Sequence, residues 1–156
     1  MEYLKELEAL QVWIKAAAGL NSFRLKDAKP NLARPVILFE TPSRGKVRNL
    51  GRYKYVVPVT QYGKLFINSV DEADQCQEAL IQDLEERVNV LPIYGDDQQP
   101  IPGIYLKAAV INFGQGDGLD IPFTISYEAT YTRTKPVDPA VGAATVVTRY
   151  TTQLNQ

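Results

Sequence analysis

Carboxylates are the side chains of this sequence with the clearest capacity for chemistry, and they occur in two short groups. Asp117 and Asp120 lie in the turn after Phe113, while Asp96 and Asp97 are adjacent in another turn. A carboxylate pair can perform acid–base work or hold Mg²⁺. Glycine on both sides of Asp117 makes its turn a poor place to fix geometry. The pair leaves a small metal-dependent hydrolase as an alternative function, and Asp96 and Asp97 are expected to be solvated.

The sequence contains no histidine and one cysteine, Cys76. Ser–His and Cys–His pairs therefore cannot form within one chain, and zinc sites built from His or several Cys are excluded. Cys76 lies on the apolar stripe of a predicted helix, where we expect a small buried hydrophobe instead of a reactive thiol. Acidic neighbours in the same turn would raise the pKa of its thiol. We expect no catalytic residue, no metal and no cofactor.

A basic segment without acidic residues runs from Thr41 to Arg52. Its cations are Arg44, Lys46, Arg48 and Arg52. Proline and glycine predict a long polar loop between two strands, and a loop of this length is either functional or disordered. Two interpretations stay open: a solvated loop, or a contact with an anionic surface or a neighbouring subunit.

Length and composition predict a single globular domain. The chain has 156 residues, 45% of them hydrophobic, and 22% are charged. Its 17 basic and 18 acidic residues give a net charge of -1, which does not favour a whole-domain nucleic-acid binder. The N-terminus lacks the pattern of a secretory signal, and no apolar run is long enough for a membrane span. We expect a soluble protein.

Two amphipathic helices are predicted. The first covers Tyr3 to Leu20, and Trp13 on it faces either the core or a partner. The second opens with Ser69-Val70-Asp71-Glu72, a capping box, and ends before Leu91-Pro92. Its predicted apolar stripe consists of Ala73, Cys76, Leu80, Leu84 and Val88, broadened by Ile81.

The first group of predicted strands follows an irregular connector from Phe23 to Pro35. Val36 to Phe39 is a short buried strand. Tyr53 to Gln61 and Lys64 to Asn68 are predicted to form a hairpin that turns at Tyr62-Gly63. Pro58 indicates an edge position or a bulge in that hairpin.

A second hairpin joins Ile104–Phe113 to Ile121–Thr134. Strict alternation in the latter predicts one buried and one wet face. The wet face comprises Thr124, Ser126, Glu128, Thr130 and Thr132, and it is expected to meet a neighbouring subunit or a lumen. The fold class is therefore α+β, a mostly antiparallel sheet with two helices packed on one face.

Residues 135–156 are predicted to form an extended C-terminal arm beyond a folded domain at 1–134. A β-prone patch favours strand addition to an exposed sheet edge of another chain, and a disordered terminus is the alternative. The residues expected to contact a partner are Thr145, Val147, Arg149 and Tyr150.

This order of elements resembles the bacteriophage tail terminator, or tail completion, proteins. The likeness rests on the leading helix, Val36–Phe39, the hairpin through Tyr53–Asn68, the helix opened by Ser69–Ala73, and the strand Asp120–Tyr127. It covers most of residues 1–134. The long arm and the length of the basic loop depart from the family pattern, which leaves another neck or tail adaptor as an alternative.

The resemblance implies a structural virion protein, assembled in the host cytoplasm, and not an enzyme. Family members form rings, commonly hexameric, that cap the tail tube and join it to the neck. The implied partners are other copies of the chain, the tail tube protein and neck proteins, with no membrane. In a ring around DNA, the basic loop would make a transient, non-specific contact with phosphates or lie between subunits. A monomeric adaptor that binds through the Trp13 helix is a third alternative.

Overall fold

The computed structural model describes residues 3–116 and 118–133, and within them two helices pack on one face of a curled, mostly antiparallel sheet of eight strands. The helices are α1 (Tyr3–Ala18) and α2 (Val70–Glu86). The strands are β1 (Asn21–Arg24), β2 (Val36–Phe39), β3 (Ser43–Arg44), β4 (Arg48–Asn49), β5 (Lys54–Phe66), β6 (Leu91–Tyr94), β7 (Pro100–Phe113) and β8 (Asp120–Thr132). Their order is β1-β2-β5-β8-β7-β6, with β3 and β4 also paired to β5. The α+β prediction is confirmed.

Helix α1 packs its apolar side into the core as the periodicity predicts. Leu10 and Ile14 are fully buried, and Gly19 ends the helix at a φ of 70°, where glycine is favoured. Trp13 is also buried, and its Nε1 donates a hydrogen bond to Asp83 Oδ2 of α2 at 2.8 Å. Trp13 therefore joins the two helices inside the molecule and does not serve as a partner-facing side chain.

Helix α2 begins with the predicted cap. The Ser69 hydroxyl accepts a hydrogen bond from the Glu72 amide at 3.2 Å, and the Glu72 carboxylate accepts one from the Asn68 amide at 2.9 Å. The predicted stripe was too long and too wide, because Ile81 is 45% exposed and Val88 lies beyond the end of the helix. The buried residues of α2 are Ala73, Cys76, Leu80 and Leu84.

The predicted hairpin at Tyr53–Asn68 was wrong, because β5 is one continuous strand. The segments β2, β3 and β4 follow one another along a single edge of β5, with Phe39 opposite Gly63 and Asn49 opposite Tyr55. Residues 36–66 thus form one long hairpin, interrupted twice on its first arm. The chain reverses at residues 50–53, where the Leu50 amide donates to the Lys54 carbonyl at 2.9 Å.

Gly63 marks a close approach instead of a turn. A Cβ at this position would lie 2.5 Å from Cζ of Phe123 and 2.7 Å from the carbonyl oxygen of Leu38. Only glycine leaves room there for the Phe123 ring of β8. Pro58 also fits within β5. Its carbonyl oxygen accepts a hydrogen bond from the Gly45 amide. The N–H that proline lacks would face the same side of β5, at a point where β3 has already ended.

Two short strands at the margins of the sheet were missed. β1 overlaps the start of the predicted connector and pairs in parallel with β2, while β6 follows α2 and pairs with β7. Each has four residues, which is too short for a clear alternation. β6 tolerates Pro92 because an edge strand does not need every N–H.

The β7–β8 hairpin and its alternation are confirmed. Every second residue of β8 from Ile121 to Tyr131 is buried against the helices. The opposite face is less wet than predicted, because Thr130 is fully buried there and only Thr132 is exposed. Asp117 and the predicted arm, including Thr145, Val147, Arg149 and Tyr150, lie outside the described residues.

Candidate functional site

A carboxylate sits at the centre of the most elaborate polar cluster that the described residues form. Glu6 of α1 is fully buried. Its Oε1 accepts hydrogen bonds from the Tyr127 hydroxyl at 3.0 Å and from Arg44 at 3.4 Å. Its Oε2 accepts from the Tyr131 hydroxyl and from Arg44 at 3.3 Å. A buried carboxylate needs partners of this kind, since an unpaired charge in the core is strongly destabilising.

Three elements position these side chains. Arg44 of β3 lies opposite Val59 of β5, which lies opposite Tyr127 of β8, so all three face the helices. Tyr131 lies four residues after Tyr127, on the same face of β8. Glu6 enters from the first turn of α1, where the helix dipole favours a negative charge.

The sequence contained a signal for Glu6 that the apolar pattern hid. Glu6 stands four residues before Leu10 and seven before Trp13, so helical spacing places it on the core side of α1. A charged residue at a core position indicates a buried pair. Its partner Arg44 was predicted as part of a solvated or partner-binding loop, and sequence spacing did not join the two.

Electrostatics keep the Tyr127 phenol of the cluster protonated. Burial raises the pKa of the Tyr127 phenol, and the nearby Glu6 carboxylate raises it further. Tyr127 therefore remains a hydrogen-bond donor at neutral pH. Both Glu6 oxygens already accept two hydrogen bonds each, which uses the acceptor capacity of a carboxylate. The arrangement fixes β3 on α1 and offers no open position beside the carboxylate for a reacting group.

A second polar chain continues from this cluster. The Arg44 guanidinium lies 5.4 Å from the centre of the Tyr3 ring, and the Tyr3 hydroxyl donates to Gln61 Oε1 at 3.2 Å. Gln61 is fully buried, and its amide donates to the carbonyl oxygens of Glu40 and Tyr62. Burial raises the pKa of Tyr3. These contacts hold the part of the hairpin between β2 and β3 against β5.

The four cations of the basic segment do not form one patch. Arg44 points to the helices, whereas Arg48 lies on the opposite face of the sheet and pairs with Glu128 at 2.6 Å. Glu128 also meets Lys107 at 3.7 Å. Lys46 and Arg52 lie at exposed positions.

Arg133 holds the reversal of the long hairpin. Its guanidinium donates to the carbonyl oxygens of Gly51, Arg52 and Lys54 at 3.1–3.2 Å, and it also bonds the Asn49 side chain. The Arg133 amide donates to the Tyr53 carbonyl at 2.6 Å. Sequence reasoning gave Arg133 no role.

Three of the carboxylates considered for chemistry, Asp96, Asp97 and Asp120, are engaged in local contacts. Asp120 pairs with Arg34 at 3.1 Å, and Asp97 accepts the Gln99 amide within its turn. Asp96 meets Lys5 at 2.6 Å, and this hydrogen bond lowers the pKa of the Asp96 carboxyl. In the parts of the chain that the structure describes, no three or more His, Cys, Asp or Glu side chains are grouped to hold a metal.

Cys76 and a groove beside α1 offer no reactive group. Cys76 is buried, and desolvation followed by the charge of Glu72 raises the pKa of its thiol. A groove of about 490 Å³ lies at the N-terminal end of α1, between Tyr3, Lys26 and Phe39. Because the Tyr3 hydroxyl donates a hydrogen bond to Gln61, Tyr3 contributes the face of its ring to this groove more than a reactive group.

Comparison with known proteins assigns no family. No protein-family model matches the chain, and no curated protein matches it. Neither helix of the described residues combines the length and apolar composition that crossing a membrane requires.

Proposed function

We propose that this chain is a structural virion protein, a subunit of an oligomeric ring that terminates a phage tail tube and joins it to the neck. The observation that carries the proposal is the corner built by Arg133. There Arg133, at the end of β8, fixes the hairpin reversal at residues 50–53 through hydrogen bonds to its carbonyl oxygens. A ring subunit needs such projecting segments, because each copy must reach its neighbour through a surface other than its core.

The Glu6 cluster supports a structural role for the hairpin. A buried ion pair costs desolvation energy and is not required for a stable core, since apolar residues can replace it. Here the pair fixes one arm of the hairpin to α1 through Arg44. The buried ion pair therefore holds a surface element in one conformation. Such a role is expected of a subunit in an assembly more than of a catalyst.

The exposed apolar residues of the hairpin support a protein contact. Val47 is 44% exposed, Leu50 43% and Tyr53 53%. They lie close together in sequence around the reversal, and exposed apolar residues gathered in one place are typical of interaction sites. We place the contacts with neighbouring copies, the tail tube protein and neck proteins on this end of the sheet.

A contact with DNA in the channel is a smaller part of the proposal. Lys46 is a cation of the basic segment at an exposed position, whereas Arg44 and Arg48 form ion pairs with Glu6 and Glu128. One such cation per subunit gives weak, salt-dependent phosphate contact without reading sequence. Weak contact suits a channel through which DNA must pass.

The mass of the purified full chain in solution tests the proposal. Light scattering after size exclusion should give a ring, and negative-stain electron microscopy should show its hole. A monomer that forms rings only on added tail tubes of the same phage also supports it. A chain that stays monomeric with and without tubes contradicts it, and Mg²⁺-dependent hydrolytic turnover would favour the enzyme alternative.

A further inference from the structure

We infer that neighbouring copies in the proposed ring also join their sheets edge to edge, with β1 of one copy paired antiparallel to residues 110–113 of β7 in the next copy. The two segments lie on opposite margins of one sheet, at the end away from the hairpin reversal. The inference rests on the proposed function, and it adds a second contact to the one that we place at the reversal.

The margin of β7 is open over residues 110–113. Strand β6 pairs only with the first half of β7, and Asn89 takes the next position. The Ala109 amide donates to the Asn89 carbonyl at 3.0 Å, and the Asn89 side chain donates to the Ala109 carbonyl at 2.7 Å. Backbone groups of alternate strand residues point to the same side, so Ile111 and Phe113 direct their N–H and C=O groups to this margin. Among the described residues, β8 is the one strand beside this segment.

The margin of β1 is open in the same way. Within residues 3–116 and 118–133, β2 is its one strand neighbour. The Ser22 carbonyl accepts a hydrogen bond from the Gln11 side chain of α1 at 3.2 Å, so it points away from β2. By the same alternation, the N–H and C=O groups of Arg24 face the open side. An unpaired strand margin of this kind is a template for a further strand.

The directions of the two margins suit each other. β1 is parallel to β2, and each further step through β5, β8 and β7 reverses the direction of the strand. When two copies stand side by side in the same orientation, β1 of one is therefore antiparallel to β7 of the other. A register with Arg24 opposite Ile111 brings the open backbone groups together, and it places Leu25 beside Val110.

Exposed apolar side chains border both margins. Beside β1, Leu25 is 56% exposed and Leu4 is 61% exposed. Beside β7, Val110 is 46% exposed, and Val88, next to the Asn89 that bonds β7, is 77% exposed. A pair of four-residue strands is weak by itself in water. Burial of these side chains between copies supplies the hydrophobic stabilisation that the short strands lack.

The charges beside the two margins have opposite signs. Lys26 and Lys29 follow β1, whereas Glu85 and Glu86 end α2 next to Val88. All four charged residues are exposed, and none forms an ion pair within the described part of the chain. The two glutamates stand at the helix end where the dipole disfavours negative charge.

A second copy is the occupant of each margin, because one chain carries both halves of this complement. The two halves are different surfaces, so the contact is head-to-tail, and it closes into a ring when the rotation allows. The opposite charges favour this pairing over contact between two identical margins.

Arg24→Pro in the full chain tests the strand pairing. Arg24 has a φ of -73° and a ψ of 145°, which proline adopts without strain, so the variant keeps its backbone and loses the N–H that faces the next copy. Arg24→Ala is the matched control, because it loses the same side chain and its pair with Asp27 but keeps the N–H. Sedimentation velocity over a series of concentrations should show assembly at least about fivefold weaker for Arg24→Pro than for Arg24→Ala, the factor that one hydrogen bond supplies.

Leu25→Glu and Val110→Lys test which margins meet. Both positions are exposed, so each variant should fold, as thermal unfolding will check. Each substitution alone sets a charge against an apolar side chain of the next copy and should weaken assembly. The double variant pairs a carboxylate with an ammonium group at every contact, whatever the number of copies, and should assemble more strongly than either single variant.

Three results would overturn the inference while the ring proposal stands. They are equal assembly of Arg24→Pro and Arg24→Ala, no recovery in the double variant, and weakening by Val110→Lys without weakening by Leu25→Glu. The last result would assign the β7 margin to another occupant, such as residues 134–156. If Arg24→Pro does not fold, the Leu25 and Val110 variants decide. A natural chain that forms no ring, even on tail tubes, overturns the ring proposal itself.

Discussion

Arg44 meets the Glu6 carboxylate at 3.3 Å, although 38 positions separate the two residues in the sequence. The pair joins the middle of the long hairpin to the first helix. Arg133 holds the same hairpin at its reversal, through the carbonyl oxygens of Gly51, Arg52 and Lys54. Two arginines from distant parts of the chain thus set the position of the element that we assign to assembly.

Arg44→Gln should destabilise the fold by about 3 kcal/mol, because it leaves the fully buried Glu6 without its cation. Arg48→Gln is the matched control in the same hairpin. The Arg48 side chain is 57% exposed, so loss of its pair with Glu128 should cost less than about 1 kcal/mol. Urea unfolding gives both free energies. Equal losses for the two variants would show that the Glu6 cluster is not the stronger anchor.

The double variant Glu6→Gln with Arg44→Gln should be more stable than Arg44→Gln alone. The second substitution removes the unpaired charge and leaves an amide that the hydroxyls of Tyr127 and Tyr131 can still reach. A double-mutant cycle by urea unfolding yields the coupling. Losses that simply add would mean that the two side chains act independently.

Arg133→Gln should loosen the hairpin reversal without unfolding the core. It removes the guanidinium that three carbonyl oxygens share, so the Leu50 amide should exchange its hydrogen at least about tenfold faster. Amides in α2 should keep their rates. Arg87→Gln, which breaks the surface pair with Asp83, is the control and should leave Leu50 unchanged. Faster exchange throughout the molecule would indicate a global effect instead.

The elements that the sequence predicts well are those whose pattern is local. The alternation of β8 and the cap at Ser69 depend on neighbours within a few residues, and both are confirmed. The place of the first hairpin reversal was not predictable in this way. Tyr62-Gly63 has the composition of a turn, but Gly63 is needed for the Phe123 ring, sixty residues later.

The candidate site was predictable only in part for the same reason. Helical spacing alone puts Glu6 on the core side of α1. Its partner depends on the register of β3 against β5, which sets Arg44 towards the helices and Arg48 towards the opposite face. That register shifts where the first arm of the hairpin is interrupted, and no local pattern specifies the shift.

Gly63→Ala should destabilise the fold by about 2–3 kcal/mol, because the added methyl meets a carbonyl oxygen of β2 and a buried ring that have no room to move. Gly114→Ala is the matched control, since its methyl would lie 3.2 Å from the Pro122 side chain at the end of the sheet. Its cost should stay below about 1 kcal/mol. Thermal unfolding of both variants measures the two losses of stability. A tolerated Gly63→Ala would contradict the close approach of β8 at this position.

Tyr127→Phe should change how stability depends on alkaline pH. The pKa of Tyr127 is raised in the folded state, so above the unfolded value near 10 the unfolded chain releases a proton that the folded chain keeps. The free energy of unfolding therefore falls as pH rises there, and is unaffected by this group at lower pH. Without the phenol, the decline should be shallower by about 1.4 kcal/mol per pH unit.

Urea unfolding from about pH 9 to about pH 11 covers the window in which an unfolded tyrosine titrates. Tyr53→Phe, which removes a phenol from an exposed side chain, is the matched control. The lost hydrogen bond to Glu6 lowers stability in Tyr127→Phe across the range, but it does not alter the slope, so the slope isolates the buried phenol. If the two variants decline equally steeply, Tyr127 does not stay protonated in the folded state, and the cluster does not hold its pattern of donors.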